Sequence, residues 1–273
     1  MGYVKYLLRG MLFLSPMTVL ANELPMHVYM AGDSTMSIKD IKDYPETGWG
    51  MPFSTFFDET IVVDNRAKNG RSTRTFISEL RWQGVIEQLK INDIVIIQFG
   101  HNDQSKHKLD RYTPPDEFVT NLTQFINDVR ERRGLPLLMT PITRRNFDEQ
   151  GKIKDTHPIY ADLVRRVAKE TQVDFIDMER VTQAYFQSLE DAGSAMRFMH
   201  LAANVHPNYP NGVTDNTHLN ELGAREVAQL VLAKLREIDH PLVNHLRKPD
   251  PKHLNLSAPT EIDNSAQIGI TIN

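Results

Sequence analysis

Four short segments contain the residue types of a hydrolytic centre. Ser34 sits in Gly32-Asp33-Ser34-Thr35. A serine hydroxyl attacks an ester only with a base within hydrogen-bond reach and a carboxylate that holds the base in one tautomer and stabilises its cation. Asp215-Asn216-Thr217-His218 offers both, three positions apart, so one short turn is expected to present His218 as base and Asp215 as its orienter. The oxyanion that forms on attack needs donors, and losing one commonly costs roughly 100- to 1000-fold in rate. Asn102, in Gly100-His101-Asn102-Asp103, offers a side-chain amide. Gly70, in Asn69-Gly70-Arg71-Ser72, offers a backbone N–H that can be approached closely because glycine lacks a Cβ. Each segment alone also reads as a turn, because Gly, Asp, Asn and Ser favour turns for local reasons. On that reading Gly70 is a turn glycine, Asp215 a loop acid and His218 a surface histidine. Their joint occurrence points to chemistry.

The elements that must position these segments follow from periodicity. Short apolar or β-branched runs at 26–31, 61–64, 93–99, 135–140 and 173–177 predict buried parallel strands. Amphipathic helices are predicted over 115–133, 158–171 and 221–238. The first has Thr113 as N-cap, Pro114 at the first helical position and Gly134 as stop; the third has Asn220 as cap and turns Leu222 and Ile238 inward with its other apolar residues. Alternation of this kind implies a parallel sheet covered on both faces, with functional groups at the carboxyl ends of its strands. Gly32, Gly70 and Gly100 each follow a predicted strand, and Asp215 precedes the last helix.

Gly32-Asp33-Ser34, Gly70, Gly100-x-Asn102-Asp103 and Asp215-x-x-His218 resemble, in order, the four blocks of the SGNH (GDSL-type) hydrolases. Gly-Asp-Ser-Thr, Gly-His-Asn-Asp and Asp-Asn-Thr-His are most similar to the rhamnogalacturonan acetylesterase group of carbohydrate esterases. So are the Tyr44 to Phe53 segment with Thr47-Gly48-Trp49-Gly50, and Thr140-Pro141-Ile142-Thr143-Arg144-Arg145. The resemblance implies a three-layer α/β/α sandwich on a five-stranded parallel, flavodoxin-like sheet. It implies Ser34 as nucleophile and first oxyanion donor through its N–H, Gly70 and Asn102 as the other donors, His218 as general base and acid, and Asp215 as orienter. It also implies an acetyl-serine intermediate, acetylated pectin or rhamnogalacturonan as substrate, and no metal or organic cofactor. Arg71, Arg144 and Arg145, with Lys68 and Arg74, are candidates to bind uronate carboxylates. Trp49, Tyr44 and Tyr209 are candidates to stack on sugar faces. Surface solvation for the cations and core packing for the aromatics are the competing readings.

Composition bounds the rest. The 273 residues, 40% hydrophobic and 24% charged, describe one globular domain. A formal net charge of −4, with no basic stripe, argues against a nucleic-acid partner. Lys5 and Arg9 precede the run Met11-Leu12-Phe13-Leu14, and Val19-Leu20-Ala21 offers small residues for a peptidase, so residues 1–21 are expected to be a signal peptide cleaved after Ala21. A membrane span would need about 20 apolar residues, and Arg9, Ser15 and Pro16 interrupt this one. The mature chain is therefore expected to be secreted or periplasmic, off the membrane and monomeric, with its domain over 22–240 and an extension of unassigned role over 241–273 that holds a short strand at 268–272. The chain has no cysteine, which excludes a thiol nucleophile and a cysteine zinc site. A metallophosphoesterase would need a second metal-binding carboxylate block, which is missing, and Gly48-Trp49-Gly50 lacks the third glycine of a dinucleotide loop. A lipase or thioesterase of the same superfamily, an acetylxylan esterase, and a non-catalytic carbohydrate-binding protein on the same fold remain as rivals.

Overall fold

A computed structural model describes residues 25–248. The expected signal peptide and the strand expected at 268–272 lie outside the described residues. Five strands, β1 (Met26–Gly32), β2 (Ile61–Asn65), β3 (Ile94–Gln98), β4 (Leu135–Met139) and β5 (Asp174–Ile176), form one parallel sheet in the order β2-β1-β3-β4-β5. All five were expected from their apolar runs. β3, Ile-Val-Ile-Ile-Gln, is buried along its whole length, as a central strand covered on both faces must be.

The period-2 alternation of the strands divides the core in two. Val28, Met30, Ile94, Ile96, Leu137 and Met139 pack on one face, and Tyr29, Ala31, Val95, Ile97 and Leu138 on the other. α1 (Gly50–Phe53) covers the first face together with the later helices α6 (Met178–Ser188) and α8 (Glu221–Glu237), through Phe53, Phe186, Val227 and Val231. α2 (Thr73–Ser78), α3 (Arg81–Gln88), α4 (Pro115–Glu131) and α5 (Pro158–Thr171) cover the second, with Phe76, Trp82, Phe125 and Val164 inward. The result is the expected three-layer α/β/α sandwich.

Several local expectations shift. Helix α4 begins one residue late, with Pro114 as the capping residue and Pro115 at the first helical position, because Pro114 is extended (ψ 151°). At its other end Arg133, not Gly134, takes the left-handed conformation (φ 59°), while the Gly134 N–H closes on the Val129 carbonyl. Asn220 caps α8 as expected, its side chain accepting from the Gly223 N–H at 3.0 Å. Leu222 and Ile238, at the two ends of that helix, face outward at 45% and 41% exposure. The domain also continues past residue 240: Leu242 is buried, and Arg247 donates from its backbone N–H to the Phe56 carbonyl and from Nε to the Phe57 carbonyl.

Asp215 and His218 lie on a strand, not on the short turn expected. After α7 (Glu190–Ala195), strands β6 (Phe198–Leu201) and β7 (Val213–Leu219) pair antiparallel. Phe198 faces Leu219, yet its neighbour Met199 faces Asp215. Asn216, Thr217 and His218 are thus bulged out of the ladder, which re-aims side chains as bulges do. On a regular strand, residues three apart would point to opposite faces.

Candidate active site

The turn after β1 carries Ser34. The Asp33 carbonyl accepts from the Met36 and Ser37 N–H groups, and Asp33 Oδ1 accepts from the Thr35 N–H and hydroxyl, both at 2.9 Å. Asp33 is buried. Burial pushes its carboxyl above the ordinary value, against the pull of the Thr35 donors, Lys39 and His218. Gly48 packs against the same turn so closely that a Cβ there would lie 2.1 Å from the Ser37 carbonyl oxygen, which accounts for a glycine at that position.

Ser34, His218 and Asp215 form a connected line. Ser34 Oγ lies 2.9 Å from His218 Nε2, and His218 Nδ1 lies 2.6 Å from Asp215 Oδ2. A carboxylate only accepts, so Nδ1 carries the proton and Nε2 is left to accept from the serine hydroxyl. The other oxygen, Asp215 Oδ1, accepts from the Thr217 and His218 N–H groups at 2.6 and 3.0 Å, which folds the bulge around the carboxylate. Burial alone would push the Asp215 carboxyl up. The His218 hydrogen bond and charge, with the two backbone donors, outweigh it and hold the group down at about 2.

The three oxyanion candidates lie on three successive blocks of the sheet edge. Gly70 follows β2 with φ 76°, a left-handed conformation that a side chain would strain. The Arg111 guanidinium also packs on it, with Nη1 2.8 Å from where a Cβ would be. The Ser34 and Gly70 N–H groups find no acceptor among the described residues. Asn102 donates one amide hydrogen to the Arg71 carbonyl at 3.0 Å, which leaves its second hydrogen available. Asp103 braces these blocks from below: its Oδ1 accepts from the Thr73 N–H at 2.9 Å and the Thr73 hydroxyl at 2.6 Å, pinning the start of α2. Burial raises the Asp103 carboxyl to about 6, with the Thr73 and Thr113 bonds opposing.

The candidate substrate residues fare unequally. Trp49 is 0% exposed, lies edge-on to Phe53 and donates from Nε1 to Gln98 Oε1 at 2.8 Å, so it is a core residue and offers no face to a sugar. Arg145 is likewise spent on the protein. It bonds Asp191 Oδ1 at 2.6 Å, Ser194 Oγ at 3.1 Å and Asn216 Oδ1 at 2.9 Å, and its N–H donates to the Asn216 carbonyl, so it braces the bulge that carries His218. Arg144 Nη1 reaches Thr217 Oγ1 on the same bulge, and burial pulls its guanidinium below its ordinary value against the charges of Asp33 and Asp215. Arg74 is paired with Glu117. Arg71 bonds Glu79 Oε2 and the Asn69 carbonyl while remaining partly exposed beside Gly70, and Lys68 is exposed. Tyr209 donates to the Asp43 carbonyl at 2.7 Å, and with Tyr44 and His206 forms a loose aromatic group near Asp215.

Sequence reasoning passed over Lys39, Glu46 and the β6–β7 hairpin. Glu46 Oε1 lies 4.0 Å from His218 Nε2. The hairpin had a signal, since Pro207, Pro210 and Gly212 separate two short runs rich in Phe, Leu, Val and Thr. Lys39 had none, because Ile38-Lys39-Asp40 reads as solvated surface.

Residues 30–225 match the GDSL-like Lipase/Acylhydrolase family model. The chain is 40% identical to the rhamnogalacturonan acetylesterase RhgT of Bacillus subtilis, over 81% of this chain and 94% of that protein. It is 26% identical to the rhamnogalacturonan acetylesterase of Emericella nidulans, over 80% and 88%. Among solved structures it resembles the B. subtilis protein YxiM, with TM-score 0.69, 23% identity, and coverage of 80% of this chain and 58% of that one. It also resembles an acetylxylan esterase of Geobacillus stearothermophilus, with TM-score 0.56, 22% identity, and 79% and 94% coverage. At those identities the two structures speak for the fold alone.

Proposed function

The chain belongs to the GDSL-like lipase/acylhydrolase family, and from that premise we propose that it is an exported acetylesterase that removes acetyl groups from rhamnogalacturonan through an acetyl-serine intermediate. The observation that carries the reading is the 2.9 Å and 2.6 Å line from Ser34 through His218 to Asp215, held in a chain similar along most of its length to a rhamnogalacturonan acetylesterase.

His218 Nε2 takes the proton from Ser34 Oγ as Oγ bonds to the acetyl carbon, and Asp215 stabilises the imidazolium. The carbonyl electrons move onto oxygen, which faces the Ser34 and Gly70 N–H groups and the free amide hydrogen of Asn102. The tetrahedral intermediate then expels the sugar oxygen, which takes the proton from His218. Water, deprotonated by His218, repeats the sequence on acetyl-serine and releases acetate. Partly exposed Arg71 and exposed Lys68 beside the oxyanion site suit a uronate carboxylate, and Tyr209 with Tyr44 suits a sugar face on the Asp215 side.

Acetate release from an aryl acetate by wild type and by Ser34→Ala tests the chemistry: equal rates would end the esterase reading. An acetyl-to-octanoyl ester series then separates acetylesterase from lipase, and faster cleavage of octanoyl esters would remove the carbohydrate assignment. Acetylated rhamnogalacturonan, pectin and xylan assayed side by side test the polymer, with xylan preferred as the contrary result. N-terminal sequencing of protein recovered outside the cytoplasm tests export, and an intact Met1 would refute cleavage after Ala21.

A further inference from the structure

Five residues beyond the nucleophile the chain buries a lysine. The Lys39 side chain is 2% exposed, and its ammonium meets three oxygens: the Ser34 carbonyl at 2.5 Å, Asn69 Oδ1 at 2.8 Å and Glu46 Oε1 at 2.7 Å. Three acceptors match the three N–H bonds of an ammonium. Burial pulls the Lys39 amine below its ordinary value, while Glu46 first, then Asp33 and Asp43, support the charged form. An ion pair alone would be satisfied in solvent at far smaller desolvation cost. The two further bonds join the backbone of the turn after β1 to a side chain of the turn after β2. Ser37 adds a parallel tie, its hydroxyl donating to Asn69 Oδ1 at 2.6 Å and lying 3.4 Å from the Ser34 carbonyl.

We propose that Lys39 is a positioning residue of the oxyanion hole, its ammonium locking the Ser34 turn to Asn69 and so fixing the Ser34 and Gly70 N–H groups relative to each other. The inference rests on Ser34 being the nucleophile. Asn69 immediately precedes Gly70, whose φ of 76° belongs to the residue type least restrained by its own backbone. The Asn69 side chain is therefore the handle by which that turn is held. The Arg71 carbonyl, on the other side of Gly70, receives Asn102, so the chain Ser34–Lys39–Asn69–Gly70–Arg71–Asn102 links all three donors. Misplacing a reacting group by about 1 Å can cost on the order of 100-fold in rate.

The test is a double-mutant cycle on aryl acetate hydrolysis with Lys39→Met and Asn69→Ala, reading kcat, KM and Tm. Ser34→Ala runs alongside; if it matches wild type, the esterase reading fails and Lys39 is not what has been refuted. Each single variant is expected to lose roughly 10- to 100-fold in kcat with KM within about threefold, since the interaction matters in the transition state. The double variant should lose little more than the worse single one, because both cut the same link. Glu46→Gln added to Lys39→Met removes the unpaired carboxylate, which keeps the measurement possible if the single variant does not fold, and it should not restore kcat. Arg165→Met, which breaks the pairs to Asp177 and Glu179 behind the sheet edge, is the stability control: it should lower Tm and leave kcat near wild type. Retention of kcat within about twofold in Lys39→Met or in Asn69→Ala, multiplied losses in the double variant, or a wild-type kcat in Lys39→Met carrying Glu46→Gln would each overturn the proposal.

Discussion

Replacing Asp215 with Asn separates its two tasks. In the wild type Oδ1 accepts from two backbone N–H groups and Oδ2 accepts from His218 Nδ1. In Asp215→Asn the amide oxygen can keep the two backbone bonds, so the bulge that carries His218 should persist. The amide nitrogen then faces Nδ1 and can only donate to it. His218 is driven to the tautomer protonated at Nε2, the atom 2.9 Å from Ser34 Oγ, and can no longer take the serine proton. In serine hydrolases with this arrangement the same change costs about 10⁴ in kcat. At about 1.36 kcal/mol per decade that is on the order of 5 kcal/mol of transition-state stabilisation. Initial rates on an aryl acetate at neutral pH measure the loss, and Tm measures whether the bulge survives. Asp215→Ala, which forfeits the backbone bonds as well, should be as slow and markedly less stable. The reasoning fails if Asp215→Asn keeps more than about a tenth of wild-type kcat, an outcome far from the expected tautomer penalty. Glu46, 4.0 Å from His218 Nε2, would then be the carboxylate to examine. If Asp215 is the orienter, Glu46→Gln should be the milder change.

Three further outcomes follow from the geometry. Trp49→Ala should destabilise the protein by about 3–5 kcal/mol in urea unfolding, as for other large buried aromatics, while the ratio of KM for acetylated oligosaccharide to KM for aryl acetate stays unchanged; a selective rise in the sugar KM would restore Trp49 as a stacking residue. Gly70→Ala puts a Cβ onto a residue at φ 76° and 2.8 Å from the Arg111 guanidinium, so kcat should fall by at least about 10-fold with the far-ultraviolet spectrum intact; wild-type kcat would show that Gly70 is only a turn glycine. Asp103, raised to about 6, binds a proton more tightly in the folded than in the unfolded chain, so it lowers stability as pH rises from about 4 to 6. Asp103→Asn can keep both Thr73 bonds, and its unfolding free energy should decline less over that window than that of wild type; parallel curves would contradict the assignment.

The sheet was legible because parallel strands buried on both faces are written as unbroken apolar runs, as in Ile94 to Phe99, and because Gly and Asp mark where those runs stop. The positions of Ser34, Gly70 and Asn102 were legible for the same reason: a parallel sheet sends the carboxyl ends of its strands to one edge, so these residues needed only to follow strand ends. What failed depended on contacts invisible along the chain. Trp49 has the composition of a sugar platform, but its burial is decided by Gln98, far away in sequence, together with Phe53 one helical turn on. Arg144 and Arg145 look alike as cations. Only the fold reveals that Asp191 and Asn216 consume one of them and Thr217 engages the other. Leu222 and Ile238 share the hydrophobicity of their helix yet sit at its ends, where the sheet no longer covers them.

The irregular elements do as much for the site as the regular ones. A regular β7 would place Asp215 and His218 on opposite faces, and the three-residue bulge brings them to 2.6 Å. Such a bulge sacrifices ladder hydrogen bonds and needs replacements. Asp215 Oδ1 supplies two, and the Arg145 N–H supplies a third to the Asn216 carbonyl while its guanidinium holds the Asn216 side chain. Arg144 anchors Thr217, the residue between them. The loop after β4 therefore decides how firmly His218 is held. Arg145→Met should then reduce kcat through His218 even though Arg145 lies outside the reaction. Because the disturbance is to the base and not to a sugar contact, the reduction should be equal for aryl acetate and for acetylated oligosaccharide. A loss confined to the oligosaccharide would return Arg145 to the substrate site and leave the bulge without its brace.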